Sequence, residues 1–283
     1  MPDWKQPTAA KNLLFCPLRL ETREDRTGPP LGCGTGFVVE HQFTRGFPEL
    51  FIVTNKHVIQ EAPVAVAYFT SAQDDGTPDI GDAFYADVTS FGDGGWHPHP
   101  NTAIDVCVLP FARGLATLSL RHRRGIFLTR IPSAKLAGVE HLADLDALQP
   151  IAFAGFPSGL YDTKNHMPIF RQGTTATPPF LDFEGEPLFL IDASVFPGSS
   201  GSPVFSYDLS IQGRVIDYRV LGLVQSVWEE QTPGQFEWVP VPTRVVPHVS
   251  FQQRLNLGGV LKAPLILEAI RDYGIGRGLE DAA

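Results

Sequence analysis

The chain has 283 residues, of which 19% are charged, and its formal net charge at pH 7 is −9. This length allows one large domain or two smaller ones, each with its own core. The negative charge argues against a nucleic-acid-binding protein, because phosphate neutralisation requires clustered Lys and Arg, and the 27 Gly and 25 Pro indicate many turns between short strands.

The first 22 residues contain neither the basic region nor the apolar core of a secretory signal, and their apolar run is too short to span a bilayer. The three cysteines, an odd number, do not make a disulfide framework and are interpreted as reduced thiols. We therefore expect a cytoplasmic protein that does not associate with a membrane.

Short apolar runs recur between turn signals along most of the chain. They are rich in β-branched and aromatic residues and too short for buried helices, so each predicts a strand. The runs are residues 36–39, 50–53, 64–69, 106–109, 150–154, 187–191 and 220–224. Sustained helical periodicity occurs only near the end, where Pro264 begins a predicted helix that stops near Gly274. The pattern predicts an all-β barrel or sandwich with a short C-terminal helix.

Residues 118–148 are the best candidate for a bridge between two halves of the chain. They include the basic cluster at 121–124, which is interpreted as a solvated connector. A site assembled from residues on both sides of this bridge would lie in the cleft between the halves.

The most informative stretch is residues 198–204, Gly-Ser-Ser-Gly-Ser-Pro-Val, which predicts a serine on a glycine-rich turn. A hydroxyl is a poor nucleophile until a base takes its proton. His57 follows the apolar run 50–53 and Asp105 opens the run 106–109, so a base and an orienting carboxylate are available. An α/β-hydrolase is excluded, because it requires G-x-S-x-G around the serine and places its histidine last.

These motifs resemble those of the trypsin-like (chymotrypsin-fold) serine peptidases, especially the bacterial branch that includes the HtrA-type proteases. Segments 34–39, 53–58, 105–109 and 198–203 resemble the family's glycine-rich first strand, histidine motif, aspartate motif and nucleophile motif. Segments 154–159 and 190–193 resemble second-barrel signatures of the bacterial branch. The resemblance implies an all-β fold of two six-stranded antiparallel β-barrels, in residues 1–125 and 126–250, followed by a helical tail in 251–283.

The resemblance also implies a role for each site residue. Ser200 attacks a peptide carbonyl, His57 takes and returns the proton, and Asp105 orients His57. The backbone N–H groups of Gly198 and Ser200 form the oxyanion hole. Ser199 stands where zymogen-activated relatives carry an Asp that pairs with a newly freed N-terminus. We therefore expect a site that is competent without N-terminal cleavage.

By the same resemblance, Ser194 forms the floor of the primary specificity pocket. The walls come from residues 225–227 and 232–234, among them Gln225, Val227 and Gly234. Ser194 supplies no counter-charge for a buried Arg or Lys, and Val227 narrows the pocket where large-pocket relatives have glycine. We predict cleavage of a protein or peptide substrate after small or medium apolar residues.

Two further motifs have alternative interpretations. The pair His97 and His99 is half of a metal-site pattern, but no third ligand accompanies it, so a loop leading to Asp105 is preferred and no metal is expected. The acidic segment 74–79 fails the EF-hand pattern and predicts a solvated hairpin loop rather than a calcium site.

The sequence thus predicts a serine endopeptidase that needs no cofactor, and it leaves the oligomeric state open. Two alternatives remain. One is a trypsin-like domain that has lost turnover and serves as a binding scaffold. The other is an esterase or acyl transferase that uses the same triad.

Overall fold

The computed structural model describes residues 4, 7–44, 46–60, 62–89, 91, 95–123, 125–231 and 252–281. Within these ranges the protein is mostly β. Its strands are β1 (Pro17–Arg23), β2 (Pro30–His41), β3 (Glu49–Thr54), β4 (Val64–Ala72), β5 (Pro78–Asp87), β6 (His97–Pro98), β7 (Cys107–Pro110), β8 (Gly125–Phe127), β9 (Ile131–Pro132), β10 (Pro150–Gly155), β11 (Ile169–Thr175), β12 (Leu188–Asp192), β13 (Pro203–Leu209), β14 (Val215–Gln231) and β15 (Gln252–Lys262). Each of the seven predicted strands is confirmed.

The helices are α1 (Ala9–Leu13), α2 (Lys56–Ile59), α3 (Ala112–His122), α4 (Val139–Ala143) and α5 (Ala263–Ile275). The predicted C-terminal helix is confirmed as α5, with Pro264 in its first turn. The prediction that helical structure is confined to the end of the chain is wrong. The helix α3 was not predicted because its buried stripe is narrow: only Gly114 and Leu118 of its residues are buried. In the described ranges, the helices lack the combined length and apolarity that crossing a bilayer requires.

Strands β1 to β9 form one sheet in the first half of the chain. Its order is β5-β4-β1-β2-β3-β7-β6, with β8 added to β4 and β9 added to β2. No strand pairing closes this sheet among the described residues, so the predicted closed first barrel is not confirmed. One edge strand, β6, is only two residues long and ends in Pro98, which has no N–H to offer to a further strand.

Strands β10 to β15 form a closed barrel in the second half. The order is β10-β11-β12-β15-β14-β13, and the pairing of β13 with β10 completes the circle. Every pairing is antiparallel. A six-stranded antiparallel second barrel is therefore confirmed, but its predicted end at residue 250 is wrong. Strand β15 lies in the segment 251–283 that was predicted to be a helical tail, and its pairings with β12 and β14 are part of the closed barrel.

The largest hydrophobic core extends from the first sheet into the barrel. It includes Phe37 and Phe51 from β2 and β3, Phe153 and Phe205 from β10 and β13, and Ile266 from α5. A second cluster, which includes Leu20 and Phe69, lies within the first half alone. Both halves and the C-terminal helix are thus joined by shared apolar packing.

Candidate active site

The structure brings His57 and Asp105 into direct contact. His57 lies on α2, immediately after β3, and its Nδ1 is 2.6 Å from Asp105 Oδ2. The backbone N–H of His57 also donates to Asp105 Oδ1, at 3.1 Å. The carboxylate therefore holds the histidine at two points, ring and backbone, and Nε2 is the ring nitrogen left for proton transfer.

Two buried residues that precede His57 hold the loop that leads to Asp105. Asn55 Nδ2 donates to the Asp105 carbonyl at 2.8 Å. Lys56 Nζ donates to the carbonyls of Asn101 and Thr102, at 3.3 Å each. No role was predicted for Asn55 or Lys56 from the sequence. The structure gives both a physical role, because their side chains bond to the segment that carries Asp105.

Ser200 lies on a turn that only glycines can form. Gly198 and Gly201 have φ angles of +85° and +84°. A Cβ atom on Gly201 would lie 1.9 Å from the carbonyl oxygen of Thr35, and one on Gly198 would lie 2.5 Å from the carbonyl oxygen of Phe156. Both positions therefore require glycine for backbone conformation and for space.

Thr35 on β2 connects the first half of the protein to this turn. Its backbone N–H donates to the Ser200 carbonyl at 2.9 Å, and its Oγ1 donates to the Gly198 carbonyl at 3.0 Å. Thr54 in turn donates to the Thr35 carbonyl at 2.7 Å. Thr35 was not predicted as a site residue, although its place between Gly34 and Gly36 in the first motif was a signal that other atoms closely approach the backbone there.

Ser200 and His57 line the same cavity, whose volume is about 340 Å³. No hydrogen bond joins the two side chains; Ser200 Oγ instead donates to the Gln225 carbonyl at 3.5 Å. Catalytic hydrogen bonds are often long or misaligned without substrate, and the serine hydroxyl turns about a single bond. The other residues of the cavity wall are Thr22, Leu31, Gly32, Cys33, Val58, Ala62, Pro197 and Gly198.

Two backbone donors of the turn are available to a substrate oxygen. Among the described residues, neither the Gly198 nor the Ser200 N–H donates a hydrogen bond within the protein. The Pro197 carbonyl accepts from the Ser158 N–H at 2.5 Å. A trans peptide directs its N–H opposite to its C=O, so the Gly198 N–H points away from Ser158. Ser158 does not line the cavity that Ser200 and His57 share.

The residues predicted to form the specificity pocket have mixed positions. Ser194 is exposed, and its carbonyl accepts a hydrogen bond from Arg171 Nη1. The Arg171 guanidinium lies 4.8 Å from the centre of the Phe196 ring, and burial lowers its pKa. A cation thus lies beside the predicted pocket floor.

The predicted walls are only partly described. Gln225 lies beside Ser200, whereas Val227 packs against the larger core, and Gly234 lies outside the described residues. The strand beside residues 225–227 is β15, in which Gly258 pairs with Val227 and Gly259 pairs with Ser226. These two glycines were not predicted as pocket residues, although they stand together in an apolar run.

Ser202 lies two residues after Ser200, at the end of the same turn. Its side chain is fully buried, and its Oγ has no hydrogen-bond partner. A Cβ on Gly155 would lie 2.1 Å from Ser202 Oγ. The Ser202 side chain therefore fits only because residue 155 has no side chain.

The histidine pair His97 and His99 and the acidic segment 74–79 both have a structural explanation. His97 and His99 each contact a carboxylate of α5, Asp272 at 2.8 Å and Glu268 at 3.2 Å. Within the described ranges, no group of three His, Cys, Asp or Glu side chains is arranged to hold a metal ion. The acidic segment 74–79 connects β4 to β5, so the predicted hairpin loop is confirmed.

The chain belongs to the trypsin-like peptidase family, because a family model described as a trypsin-like peptidase domain matches residues 34–216. It is a serine protease. A comparison with curated proteins finds no significant match.

Two similar solved structures are both of low sequence identity. One is a serine endoprotease from Yersinia pestis, with 15% identity, a TM-score of 0.47, and coverage of 95% of this chain and 69% of that chain. The other is Rv3671c from M. tuberculosis H37Rv, in an inactive mutant form, with 17% identity, a TM-score of 0.45, and coverage of 97% and 95%.

Proposed function

We propose that this serine protease is an endopeptidase that works through a His57–Asp105–Ser200 triad and an acyl-enzyme intermediate. The observation that carries the proposal is the 2.6 Å contact between His57 Nδ1 and Asp105 Oδ2, together with the cavity that His57 shares with Ser200. In this scheme His57 Nε2 takes the proton from Ser200 Oγ as the hydroxyl attacks a peptide carbonyl. The same proton then goes to the leaving amine, and water hydrolyses the acyl-enzyme.

The oxyanion of each tetrahedral intermediate is bound by the N–H groups of Gly198 and Ser200. Support comes from the absence of any protein acceptor for these two donors among the described residues. One such donor contributes about 3 to 4 kcal/mol of transition-state stabilisation. The donors need no rearrangement that depends on a new N-terminus, which agrees with Ser199 at the position before the nucleophile.

The residue on the acyl side of the cleaved bond is small or medium-sized and apolar. Ser194 offers no negative charge, and the neighbouring Arg171 guanidinium disfavours a lysine or arginine by like-charge repulsion. Cleavage of a peptide library provides the test. A preference for Arg or Lys on the acyl side would contradict this specificity.

The triad is tested with a fluorophosphonate probe. We expect covalent labelling of the wild type at Ser200, identified by peptide mapping, and no labelling of Ser200→Ala or His57→Ala. Ser200→Ala lowers kcat by a factor on the order of 10⁶ without loss of the fold. Ser202→Ala is the matched control, because it removes a buried hydroxyl of the same turn and leaves labelling intact. Labelling that persists in His57→Ala would refute the assignment of the base.

Paired amide and ester substrates with the same acyl group separate the alternatives. An endopeptidase hydrolyses both, whereas an esterase or acyl transferase acts on the ester alone. A domain that has lost turnover is neither labelled nor active. If the protein hydrolyses the ester but not the amide, the assignment as an endopeptidase is wrong and an esterase that uses the same triad takes its place.

We also propose that the protein works in a reducing compartment such as the cytoplasm. All three cysteines are free, and Cys16 and Cys107 are buried, which raises the pKa of both thiols. Alkylation of the denatured protein, taken directly from its native cells, is expected to modify three thiols. Fewer modified thiols would contradict the proposal.

A further inference from the structure

The segment that leads to Asp105 lies against the C-terminal helix α5, and His99 contacts a carboxylate of that helix. The His99 ring is buried, with only 3% of its side chain exposed, and its Nε2 is 3.2 Å from Glu268 Oε2. Its Nδ1 accepts a hydrogen bond from the backbone N–H of Asn101 at 3.1 Å. Both ring nitrogens therefore have a partner.

These two contacts define the tautomer of His99. Because the Asn101 N–H is a donor, Nδ1 carries the lone pair and Nε2 carries the proton. Nε2 therefore donates to the Glu268 carboxylate, which fixes the orientation of the ring. In this histidine–carboxylate pair, unlike the pair of His57 and Asp105, the histidine holds backbone instead of transferring a proton.

The His99 ring lies inside a closed turn that ends at Asp105. The backbone N–H of His99 donates to the Val106 carbonyl at 2.9 Å, which ties the start of the turn to the residue after Asp105. Within the turn, the Asn101 carbonyl accepts from the Ile104 N–H at 3.1 Å. Rotation of the His99 ring would remove the acceptor for Asn101 N–H and loosen the turn next to Asp105.

We propose that Glu268 is a positioning residue for Asp105 and that it acts through His99. The inference rests on the proposed function, because Asp105 is the residue whose placement matters. Displacement of a catalytic group by about 1 Å costs on the order of 100-fold in rate. The Glu268 side chain is 53% exposed, and the turn keeps its other hydrogen bonds when the carboxylate is removed. We therefore expect a loss of rate smaller than about 100-fold.

The neighbouring pair on the same helix provides a matched control. His97 Nε2 contacts Asp272 Oδ2 at 2.8 Å, one turn further along α5. This pair also fastens α5 to the first sheet, but the His97 ring makes no hydrogen bond to the turn between His99 and Asp105. Replacing Asp272 therefore weakens the packing of α5 against the first sheet but leaves the hydrogen bonds that position Asp105 in place.

The kinetic test compares Glu268→Ala, Glu268→Gln and Asp272→Ala in the full chain. We expect Glu268→Ala to lower kcat about 10-fold with KM unchanged, and Glu268→Gln, which keeps an acceptor oxygen, to recover most of the loss. Asp272→Ala should lower the melting temperature as much as Glu268→Ala does, with kcat unchanged. Equal loss of kcat in Glu268→Ala and Asp272→Ala, or no rescue by Glu268→Gln, would overturn the inference.

A second measurement does not depend on turnover. We expect the proton between His57 Nδ1 and Asp105 Oδ2, which are 2.6 Å apart, to give a downfield NMR resonance, and its loss in Asp105→Asn would assign it. We expect Glu268→Ala to shift or broaden this resonance and Asp272→Ala to leave it unchanged. If the shift occurs in a protein without peptidase activity, the proposed function fails and the positioning role stands. An unchanged resonance in Glu268→Ala overturns the positioning role itself.

Discussion

The histidine side and the serine side of the candidate site are held in place by different kinds of contact. His57 and Asp105 depend on side chains that bond to one another and to the backbone behind them, as Asn55 does. The Ser200 turn depends on backbone hydrogen bonds and on the absence of side chains at Gly198 and Gly201. One side is therefore sensitive to the loss of a functional group, and the other is sensitive to the addition of an atom.

Apart from removal of the nucleophile Ser200 itself, the largest effect is expected on the histidine side. Asp105→Asn keeps the shape of the residue but presents an amide to His57 Nδ1, which favours the wrong tautomer of the imidazole. We expect kcat to fall by about 10⁴ with little change in the free energy of unfolding. Steady-state kinetics and chemical denaturation measure the two quantities. A fall in kcat of less than tenfold would remove Asp105 from the triad.

The serine side should respond in stability. Gly201→Ala places a Cβ 1.9 Å from the Thr35 carbonyl oxygen at a φ of +84°, and we expect a loss of about 3 kcal/mol or more in unfolding free energy. Gly213→Ala is the control, because Gly213 has a φ of +72° with no atom within 4 Å of a Cβ. That variant should lose only about 1 kcal/mol through backbone strain. Equal losses would show that the contact with Thr35 is unimportant.

Thr35 is the exception that joins the two sides, because it is a side chain that holds the serine turn. Thr35→Val keeps the volume and removes the hydroxyl that donates to the Gly198 carbonyl. We expect a loss of about 1 to 3 kcal/mol in unfolding free energy and a lower kcat, since a partly buried carbonyl next to the oxyanion donors loses its partner. Thr35→Ser keeps the hydroxyl and should retain kcat. If Val and Ser behave alike, the bond does not position the turn.

The smallest effect is expected at Ser202, where the serine side carries a polar atom that it does not use. Ser202 Oγ is buried without a partner, so Ser202→Ala removes an uncompensated desolvation cost. We expect the free energy of unfolding to rise by up to about 1 kcal/mol. A loss of more than 1 kcal/mol in denaturation experiments would indicate a hydrogen bond that Ser202 makes in solution.

The apolar runs of the sequence predicted seven of the strands. They did not predict strand β1, because Arg19, Glu21 and Arg23 have the pattern of a surface segment. In the fold, Glu21 is only 2% exposed and contacts an arginine nitrogen on each side, both at 2.5 Å. Such compensation between charges is not visible in hydrophobic periodicity.

The candidate site shows the same division. Residue types and motif order were sufficient to nominate His57, Asp105 and Ser200, because each chemical role requires a particular functional group. The Thr35–Gly198 hydrogen bond joins residues that are 163 positions apart, and Glu268 approaches His99 across 169 positions. Neither contact has a local pattern, so both required the three-dimensional structure.

The core shared by the first sheet, the barrel and α5 has a consequence for how the protein loses its structure. Because Phe37 and Phe205 belong to one continuous apolar cluster, neither half can separate from the other without exposing that cluster to water. The protein should therefore melt in a single cooperative calorimetric transition, and the spacing between base and nucleophile is set when the shared core forms during folding.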